Sequence, residues 1–291
     1  MNPDLQKVII AVNNESTIVS PYKRLSPITD LTHFPVHYPI FNYNTDVLNR
    51  IVSPTSKIYN TKSAKLKVSS KLDFHKLHKD CTYIPKTALN VRDAKSLVFP
   101  IVAKPSNGHS GIGIKGFKTL KSFQASNTDG YSVFCEKIEV ISEWRYFIFK
   151  GEILCITKRI PQDNTTKNIL LKNVNDSTNF KYLLHYHEFL NTETAFDIEH
   201  LLAIQCVTLK HQDLDFYAID LADTPSGVKV FEINSQPGNI FGVVELAYRK
   251  IFKDYYKRDI DMMSARKFRE SIVANINIDI QNPDSICILS E

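Results

Sequence analysis

The chain has 291 residues, of which 43% are hydrophobic and 23% are charged, and its formal net charge is +5. This composition is typical of a globular protein with a substantial core, and no apolar run approaches the length of a membrane span. The mild positive charge suits a polyanionic ligand such as a nucleotide and argues against nucleic acid or a membrane as a partner. Five scattered cysteines without a CxxC pair, and an N-terminus without a signal-peptide pattern, predict a cytoplasmic protein with reduced thiols.

The N-terminal region is rich in Pro, Asn and Tyr and contains one clear strand candidate, Val8–Val12. From about residue 70 the pattern becomes regular. The predicted elements are, in chain order, a helix at 71–80, a strand at 97–104, a short strand within 111–117, a helix near 119–125, and strands at 131–136, 141–149 and 152–158.

The C-terminal half begins with a polar loop at 161–179, which is followed by an amphipathic helix at 193–209. Thr194 and Asp197 form a loose capping box at the start of this helix. The remaining predicted elements are a hairpin of strands 214–222 and 228–234 and helices at 239–258 and 262–275. Hairpins mixed with helices, rather than strict strand–helix alternation, favour an α+β fold.

The segment IVAKPSNGHSGIGIKGF (101–117) contains a GxGxxG pattern. A dinucleotide-binding loop would open a helix at this point, but Ile112 and Ile114 alternate as in a strand. A protein kinase would place its lysine after the glycines, whereas Lys104 precedes them. The segment therefore predicts either a glycine-rich loop that approaches phosphate groups, with Lys104 as a point charge, or a plain hairpin loop with a solvated lysine.

The segment VFEINSQPG (230–238) ends a strand with two oxygen-bearing side chains. Glu232 and Asn234 lie on one face because strand side chains alternate, and Asp220 ends the facing strand of the hairpin. Two carboxylates and an amide oxygen are ligands that Mg²⁺ prefers. The alternative, a salt bridge of Glu232 on a solvent face, is weakened by the strongly apolar neighbouring positions.

The order of these segments resembles that of the ATP-grasp superfamily, which includes glutathione synthetase, D-alanine–D-alanine ligase and the ligase that adds glutamates to a ribosomal protein. The resemblance covers roughly 65–250 and includes YSVFCEKIEVISEWRYFIFKGEILCITKRIPQ (131–162) between the glycine loop and the acid-bearing strands. The segment VISEWRYFIFKGEIL is also similar to a clade of viral and bacterial ATP-grasp ligases. The resemblance implies an α+β ATP-grasp fold whose two lobes grip ATP. The implied domains are a short pre-ATP-grasp region (1–66), a small lid lobe (67–138) and a large lobe with the metal site and C-terminal helices (139–291).

The resemblance also implies roles for individual residues. Lys104 and an upstream lysine, Lys71 or alternatively Lys67, would contact the phosphates of ATP, and Glu143 would bind the ribose. Arg145 and Arg159 would be catalytic, stabilising the charge of the transferred phosphoryl group. The remaining implied groups are the phosphate-covering loop (Ser106, Asn107, Gly108, His109, Ser110, Gly111), the adenine-binding hinge (Glu136, Lys137, Ile138) and the ligands of Mg²⁺ or Mn²⁺ (Asp220, Glu232, Asn234).

The implied activity is that of an ATP-dependent carboxylate–amine ligase, which forms an amide through an acyl phosphate and releases ADP and phosphate. The acceptor amine would belong to an amino acid, a peptide or a protein terminus. Two alternatives remain open at this stage. One is a phosphotransferase acting on a hydroxyl, for which the basic cluster 62–71 would bind the acceptor, and the other is a non-catalytic nucleotide-binding module.

Overall fold

A computed structural model describes residues 8–12, 27–28, 39–44, 57–106, 113–161, 180–186, 197–237, 243–257 and 286–289. The chain divides into two compact units, each built from segments that are distant in sequence. The first unit comprises residues 1–65, 213–217 and 235–291, and the second comprises 66–212 and 218–234. The three-part division predicted from the sequence remains a prediction.

The first unit is built on a five-stranded sheet with the strand order β2-β14-β1-β3-β4. Its strands are β1 (Val8–Val12), β2 (Pro27–Ile28), β3 (Ile40–Asn44), β4 (Ile58–Tyr59) and β14 (Ile286–Leu289). The strand β1 pairs with β3 in parallel and with β14 in antiparallel orientation. Helix α6 (Val243–Tyr256) packs against β1 and buries Val243, Ala247 and Ile251 completely.

The second unit contains a four-stranded antiparallel sheet with the order β5-β8-β6-β7. Its strands are β5 (Thr87–Ala88), β6 (Ile101–Pro105), β7 (Lys115–Phe117) and β8 (Tyr131–Glu136). The helices of this region are α1 (Lys62–Ser69, across the unit boundary), α2 (Lys71–Leu77), α3 (Val91–Ala94) and α4 (Leu120–Gln124). Phe123 of α4 packs edge-to-face on Phe117 and Phe134, and these buried rings hold the helix on the sheet.

A second antiparallel sheet, with the order β11-β10-β9-β12-β13, contains the hairpin that bears the predicted metal ligands. Its strands are β9 (Ser142–Phe149), β10 (Glu152–Pro161), β11 (Phe180–Tyr186), β12 (Phe216–Thr224) and β13 (Gly227–Asn234). Lys150 and Gly151 both have positive φ, as a two-residue type I′ turn between β9 and β10 requires. Helix α5 (Ile198–Thr208) packs against β13.

The predicted elements agree with the structure in type wherever they are described, and their ends differ for local reasons. The strand predicted at 97–104 begins only at Ile101, since Pro100 has no N–H to donate to a neighbouring strand. Helix α5 begins at Ile198, capped by Asp197, whose carboxylate accepts from the amide of Glu199 at 2.8 Å. Thr194, the polar loop at 162–179 and the helix predicted at 262–275 lie outside the described residues. Among the described helices, none is both long and apolar enough to cross a membrane.

Candidate functional site

Three oxygen-bearing side chains meet at the end of the β12–β13 hairpin. Asp220 and Glu232 are direct partners in the strand register, next to a β-bulge between Asp220 and Leu221. The amide Nδ2 of Asn234 donates to Asp220 Oδ2 and to Glu232 Oε1, each at 3.1 Å. The side-chain tips of all three residues therefore converge on one point of the sheet face.

Two cations stabilise this pair of carboxylates, which would otherwise repel each other across the strands. Arg145 of β9 makes a bidentate contact with Asp220, with Nε–Oδ1 and Nη2–Oδ2 distances of 2.5 and 2.7 Å. The Lys71 ammonium lies 3.2 Å from Glu232 Oε2. Each carboxylate thus has its own positive partner, and the Arg145–Asp220 pair has the planar geometry that makes such contacts strong.

The charges of the site hold Glu232 ionised. Burial by itself raises the pKa of this carboxyl, but Lys71, the hydrogen bond from Asn234, Lys104 and Arg145 together lower its pKa to about 2. Burial disfavours the charge of Arg145, yet the neighbouring Asp220 raises the pKa of the guanidinium above its ordinary value. Both groups are therefore charged across the physiological range.

The two phosphate lysines predicted from the sequence approach the acidic residues from the four-stranded sheet region. Lys71 is the first residue of α2, and its backbone amide donates to the carbonyl of Ser106 at 2.9 Å. Ser106 is the first residue of the predicted phosphate loop, and its hydroxyl lies 3.2 Å from that of Ser70. Lys104 is buried on β6, with its ammonium 6.0 Å from the centre of the Phe231 ring. Of the two upstream candidates, Lys71 reaches Glu232, while Lys67 is an exposed residue of α1.

His75 of α2 lies close to these lysines and was not anticipated from the sequence. The side chain is 3% exposed, and its Nδ1 has no hydrogen-bond partner in the described part of the chain. Burial, together with the positive charges of Lys104 and Lys71, lowers the pKa of His75 to about 3. The imidazole is therefore neutral and adds no further positive charge next to the two lysines.

The predicted hinge segment is held by hydrogen bonds within the protein. Glu136 Oε1 accepts from the amide of Val98 at 2.8 Å and lies 3.5 Å from the ammonium of Lys86. The backbone amides of Glu136 and Lys137 donate to the carbonyls of Lys86 and Pro100. These two amides already have protein partners, so binding of an adenine edge by residues 136–138 would draw on other backbone groups of the segment.

A family comparison agrees with this arrangement. The model of an ATP-grasp domain, the third family of its clade, matches residues 51–237, which is more than half of the chain. The chain belongs to this ATP-grasp family. No curated protein matches the sequence of this ATP-grasp protein.

Solved structures with the same fold are distant in sequence. The ATP-grasp ligase PsnB, solved with precursor peptide PsnA2 and AMPPNP, is 10% identical with a TM-score of 0.53, and the match covers 92% of this chain and 97% of PsnB. A PsnB chain solved with a minimal precursor is 13% identical with a TM-score of 0.45, and the match covers 76% of this chain and 64% of that one. D-alanine–D-alanine ligase from Bacillus anthracis, solved with ATP, is 14% identical with a TM-score of 0.47, over 69% of this chain and 72% of that one. The α+β ATP-grasp fold predicted from the sequence is confirmed.

The side chains at the acidic cluster of this ATP-grasp protein (Asp220, Glu232 and Asn234) fit a magnesium ion. Magnesium prefers hard oxygen ligands and takes only a few of them from protein. Asp220 and Glu232 supply carboxylate oxygens on one side of the sheet, and a half-turn of the Asn234 amide would present Oδ1 where Nδ2 now bridges them. The bridging amide group thus occupies a position suited to a cation between the two carboxylates.

The other residues implied by the resemblance are placed in different ways. Glu143 of β9 and Arg159 of β10 are partners in the strand register, and the charge of Glu143 further raises the pKa of Arg145. Nothing is described of the Arg159 side chain. Five of the predicted loop residues also lie outside the described part of the chain: Asn107, Gly108, His109, Ser110 and Gly111.

The opposite face of the same sheet holds a hydrogen-bonded network that the sequence did not reveal. His200 of α5 contacts the Tyr146 hydroxyl through Nδ1 at 2.7 Å and Asp223 Oδ1 through Nε2 at 2.6 Å. The second oxygen of Asp223 accepts from Ser142 and Trp144. These bonds lower the pKa of Asp223 although burial alone would raise it.

Asp197, His200 and Asp223 are the one His/Cys/Asp/Glu group among the described residues with the spacing of a metal site. Both nitrogens of His200 and both oxygens of Asp223 are already used within the protein. We therefore assign this network a structural role, which is to fix α5 on the sheet. No signal of local spacing could have identified it, because Tyr146, His200 and Asp223 come from three separate elements.

Proposed function

We propose that this ATP-grasp protein is an ATP-dependent carboxylate–amine ligase that forms an amide bond and releases ADP and phosphate. The observation that carries the proposal is the convergence of Asp220, Glu232 and Asn234 between the cations Arg145 and Lys71. Such an arrangement suits the binding of a divalent ion and the charged phosphates of ATP together. Membership of the ATP-grasp family supports ATP as the nucleotide.

In this proposal the residues of the chain position and neutralise charge. Asp220, Glu232 and Asn234 would hold Mg²⁺, which when bound supplies positive charge to the phosphate oxygens. Because the pKa of Glu232 is about 2, its carboxylate needs no deprotonation before it binds a cation. Lys71 and Lys104 bind phosphate oxygens, and the Ser106 carbonyl ties the start of the glycine loop to α2.

Arg145 has a double role in the proposed mechanism. Its bidentate contact holds Asp220 in place, using two of the five N–H donors of a guanidinium. With Arg159 it also stabilises the negative charge that moves with the phosphoryl group. Glu143 binds the ribose, residues 106–111 cover the phosphates, and residues 136–138 contact the adenine.

The proposed reaction has two steps and requires no nucleophilic side chain. First, a carboxylate oxygen of the substrate attacks the γ-phosphorus of ATP, so that an O–P bond forms and the bond to ADP breaks. Then the amine attacks the acyl carbon, the C–N bond forms, the C–O bond to phosphate breaks, and the amine loses a proton. The protein contributes positioning, charge stabilisation and exclusion of water.

A peptide is the first acceptor to examine, because PsnB, which shares the fold, was solved with a precursor peptide. Free amino acids and protein termini are the other two acceptor classes. The products distinguish the ligase from a phosphotransferase. A ligase yields an amide together with free phosphate, whereas a phosphotransferase yields a phosphorylated product.

The decisive test replaces the carboxylate of Glu232. The variant E232Q keeps the size of the side chain but loses its charge, so we expect Mg²⁺ to lose its strengthening effect on ATP binding in titration calorimetry. We also expect phosphate release with a pool of acids and peptides to fall by about 100-fold or more. The matched control is E139Q, at an exposed glutamate between β8 and β9.

Two measurements make this test conclusive. Circular dichroism melting should show that E232Q is folded, and E139Q should retain wild-type ATP binding and phosphate release. If folded E232Q kept the magnesium dependence and turnover of the wild type, the assignment of the metal site would be wrong.

A further inference from the structure

Two cysteines that are distant in sequence come together in the second unit. Cys81 lies in the turn after α2, where its amide donates to the His78 carbonyl and its carbonyl accepts from the amide of Ile84. Cys206 lies on α5, 125 positions further along the chain. Their Sγ atoms are 2.6 Å apart. This separation places the two sulfurs close to bonding distance, which is about 2.05 Å in a disulfide.

The surroundings distinguish this pair from the other cysteines whose burial is described. Cys135 and Cys155 are buried in the sheets, and burial raises the pKa of the Cys155 thiol to about 12. Within that described group, Cys206 is the one that is partly exposed, so it offers a route for a small oxidant to reach the pair. The buried Cys81 stands directly behind it.

We propose that Cys81 and Cys206 form a reversible disulfide when the protein meets an oxidant of the peroxide class. The Cys206 sulfur attacks one oxygen of hydrogen peroxide, so that an S–O bond forms, the O–O bond breaks, and water leaves with the thiol proton. The Cys81 sulfur then displaces the resulting hydroxyl group as a second water, and the S–S bond forms. The two sulfurs lose two electrons, and the peroxide gains them.

The oxidised form joins two helices that pack against the same strand. Helix α2 carries Lys71, helix α5 carries Cys206, and both contact β13, which carries Glu232. A cross-link between the turn after α2 and α5 would therefore restrict the elements that support the acidic cluster. It would also close a long loop, which stabilises a folded chain mainly by restricting the unfolded one.

The neighbours of the thiols make the reduced form the resting state at neutral pH. Burial and the adjacent Cys81 raise the pKa of the Cys206 thiol to about 11, although Lys210 opposes this shift. The reactive species is the thiolate, so oxidation by peroxide should be slow.

The test uses the full chain, treated either with hydrogen peroxide or with a reductant, then unfolded and alkylated. The reduced protein should take up five alkyl groups and the oxidised protein three, because the chain has five cysteines and the link removes two of them. Peptide mapping should find Cys81 linked to Cys206. The variants C206S and C81S should not form this link, whereas the control C155A should form it as the wild type does. C206S replaces a partly exposed residue, so it serves if C81S fails to fold.

A second readout is thermal stability without reductant. Oxidation should raise the melting temperature of the wild type by about 5 °C or more, and should leave that of C206S unchanged. The proposal is overturned if oxidised wild-type protein still takes up five alkyl groups, if mapping pairs other cysteines, or if the link forms without a rise in melting temperature. None of these readouts involves ATP, so this result and that of the ligase test are independent.

Discussion

Asp220 and Glu232 stand opposite each other on adjacent strands, an arrangement that is unfavourable for two carboxylates unless cations compensate for it. The compensation is divided between Arg145 and Lys71. Removing one partner of such a buried pair leaves the other charge uncompensated, which costs more than the net worth of the contact. The acidic cluster is therefore a place where single substitutions should have large effects.

The Arg145–Asp220 contact provides a prediction at the scale of one residue. The variant R145K keeps the charge but cannot make the bidentate contact, so we expect a loss of about 2 kcal/mol in the free energy of unfolding. Magnesium-dependent ATP binding should weaken as well, because Asp220 loses its fixed orientation. Urea denaturation and calorimetry measure the two effects.

The matched control for this variant is R92K, at an exposed arginine of α3. It should change neither the stability nor the binding of ATP. If R145K and R92K were equally stable, the contact between Arg145 and Asp220 would contribute nothing to the fold.

At the scale of elements, the start of α2 connects helix formation to the site. The Ser70 hydroxyl caps the helix by accepting from the amide of Asp73 at 3.2 Å, and the same hydroxyl lies beside that of Ser106. The next residue is Lys71, which reaches Glu232. The cap therefore fixes the helix end, the start of the glycine loop and a proposed phosphate lysine together.

Removing the cap separates its two roles. The variant S70A should lose about 1 kcal/mol of stability and also bind ATP more weakly. The control N90A removes the equivalent cap of α3, where Asn90 accepts from the amide of Asp93 at 2.8 Å. N90A should lose a similar amount of stability in urea denaturation while binding ATP normally. Equal ATP affinity in the two variants would contradict a role of the Ser70 cap in the site.

The elements themselves were largely predictable, because strand alternation and helix periodicity are local properties of the sequence. The hairpin of β12 and β13 follows from two apolar runs around a turn, and α6 follows from its periodic apolar face. The errors occurred at element ends. Pro100 shortened a strand, and Asp197 capped α5, since several polar residues there are equally good capping candidates by type.

At the scale of the whole molecule, acid should destabilise the protein in two stages. Burial comes first among the causes that lower the pKa of His75 to about 3 and that of His78 to about 4. The charged or titratable neighbours of His75 are Lys104, His78, Lys71 and Glu232, and those of His78 are His211 and Lys210. Below pH 6.5 the unfolded chain binds protons that the folded chain refuses, so stability falls with pH.

The size of the first stage follows from this difference in proton binding. Each of the two histidines should cost about 2 kcal/mol between about pH 7 and pH 5, as measured by urea denaturation. The variant H75Q should show a shallower loss over this interval, because one of the two groups no longer titrates. A wild-type stability that stayed constant over the same interval would refute the prediction.

Glu232 adds the second stage with the same sign. Its folded pKa of about 2 lies below the ordinary value of 4.5, so its contribution to stability is present above pH 4.5 and is lost as the pH falls towards 2. The acid limb of the urea denaturation series should therefore be shallower in E232Q than in the wild type. Equal limbs in the two proteins would show that the folded chain does not hold this carboxylate ionised.

The sequence by itself determined the α+β ATP-grasp fold and the common face of Glu232 and Asn234. Both depend on the order of segments and on the two-residue period of a strand, which neighbouring residues specify. The tertiary structure alone decided which cations meet the carboxylates, that His75 is buried near two lysines, that Tyr146, His200 and Asp223 form one network, and that Cys81 meets Cys206. These contacts join residues far apart in the chain, and they form only because buried faces of separate helices and strands pack against each other, which no local spacing encodes.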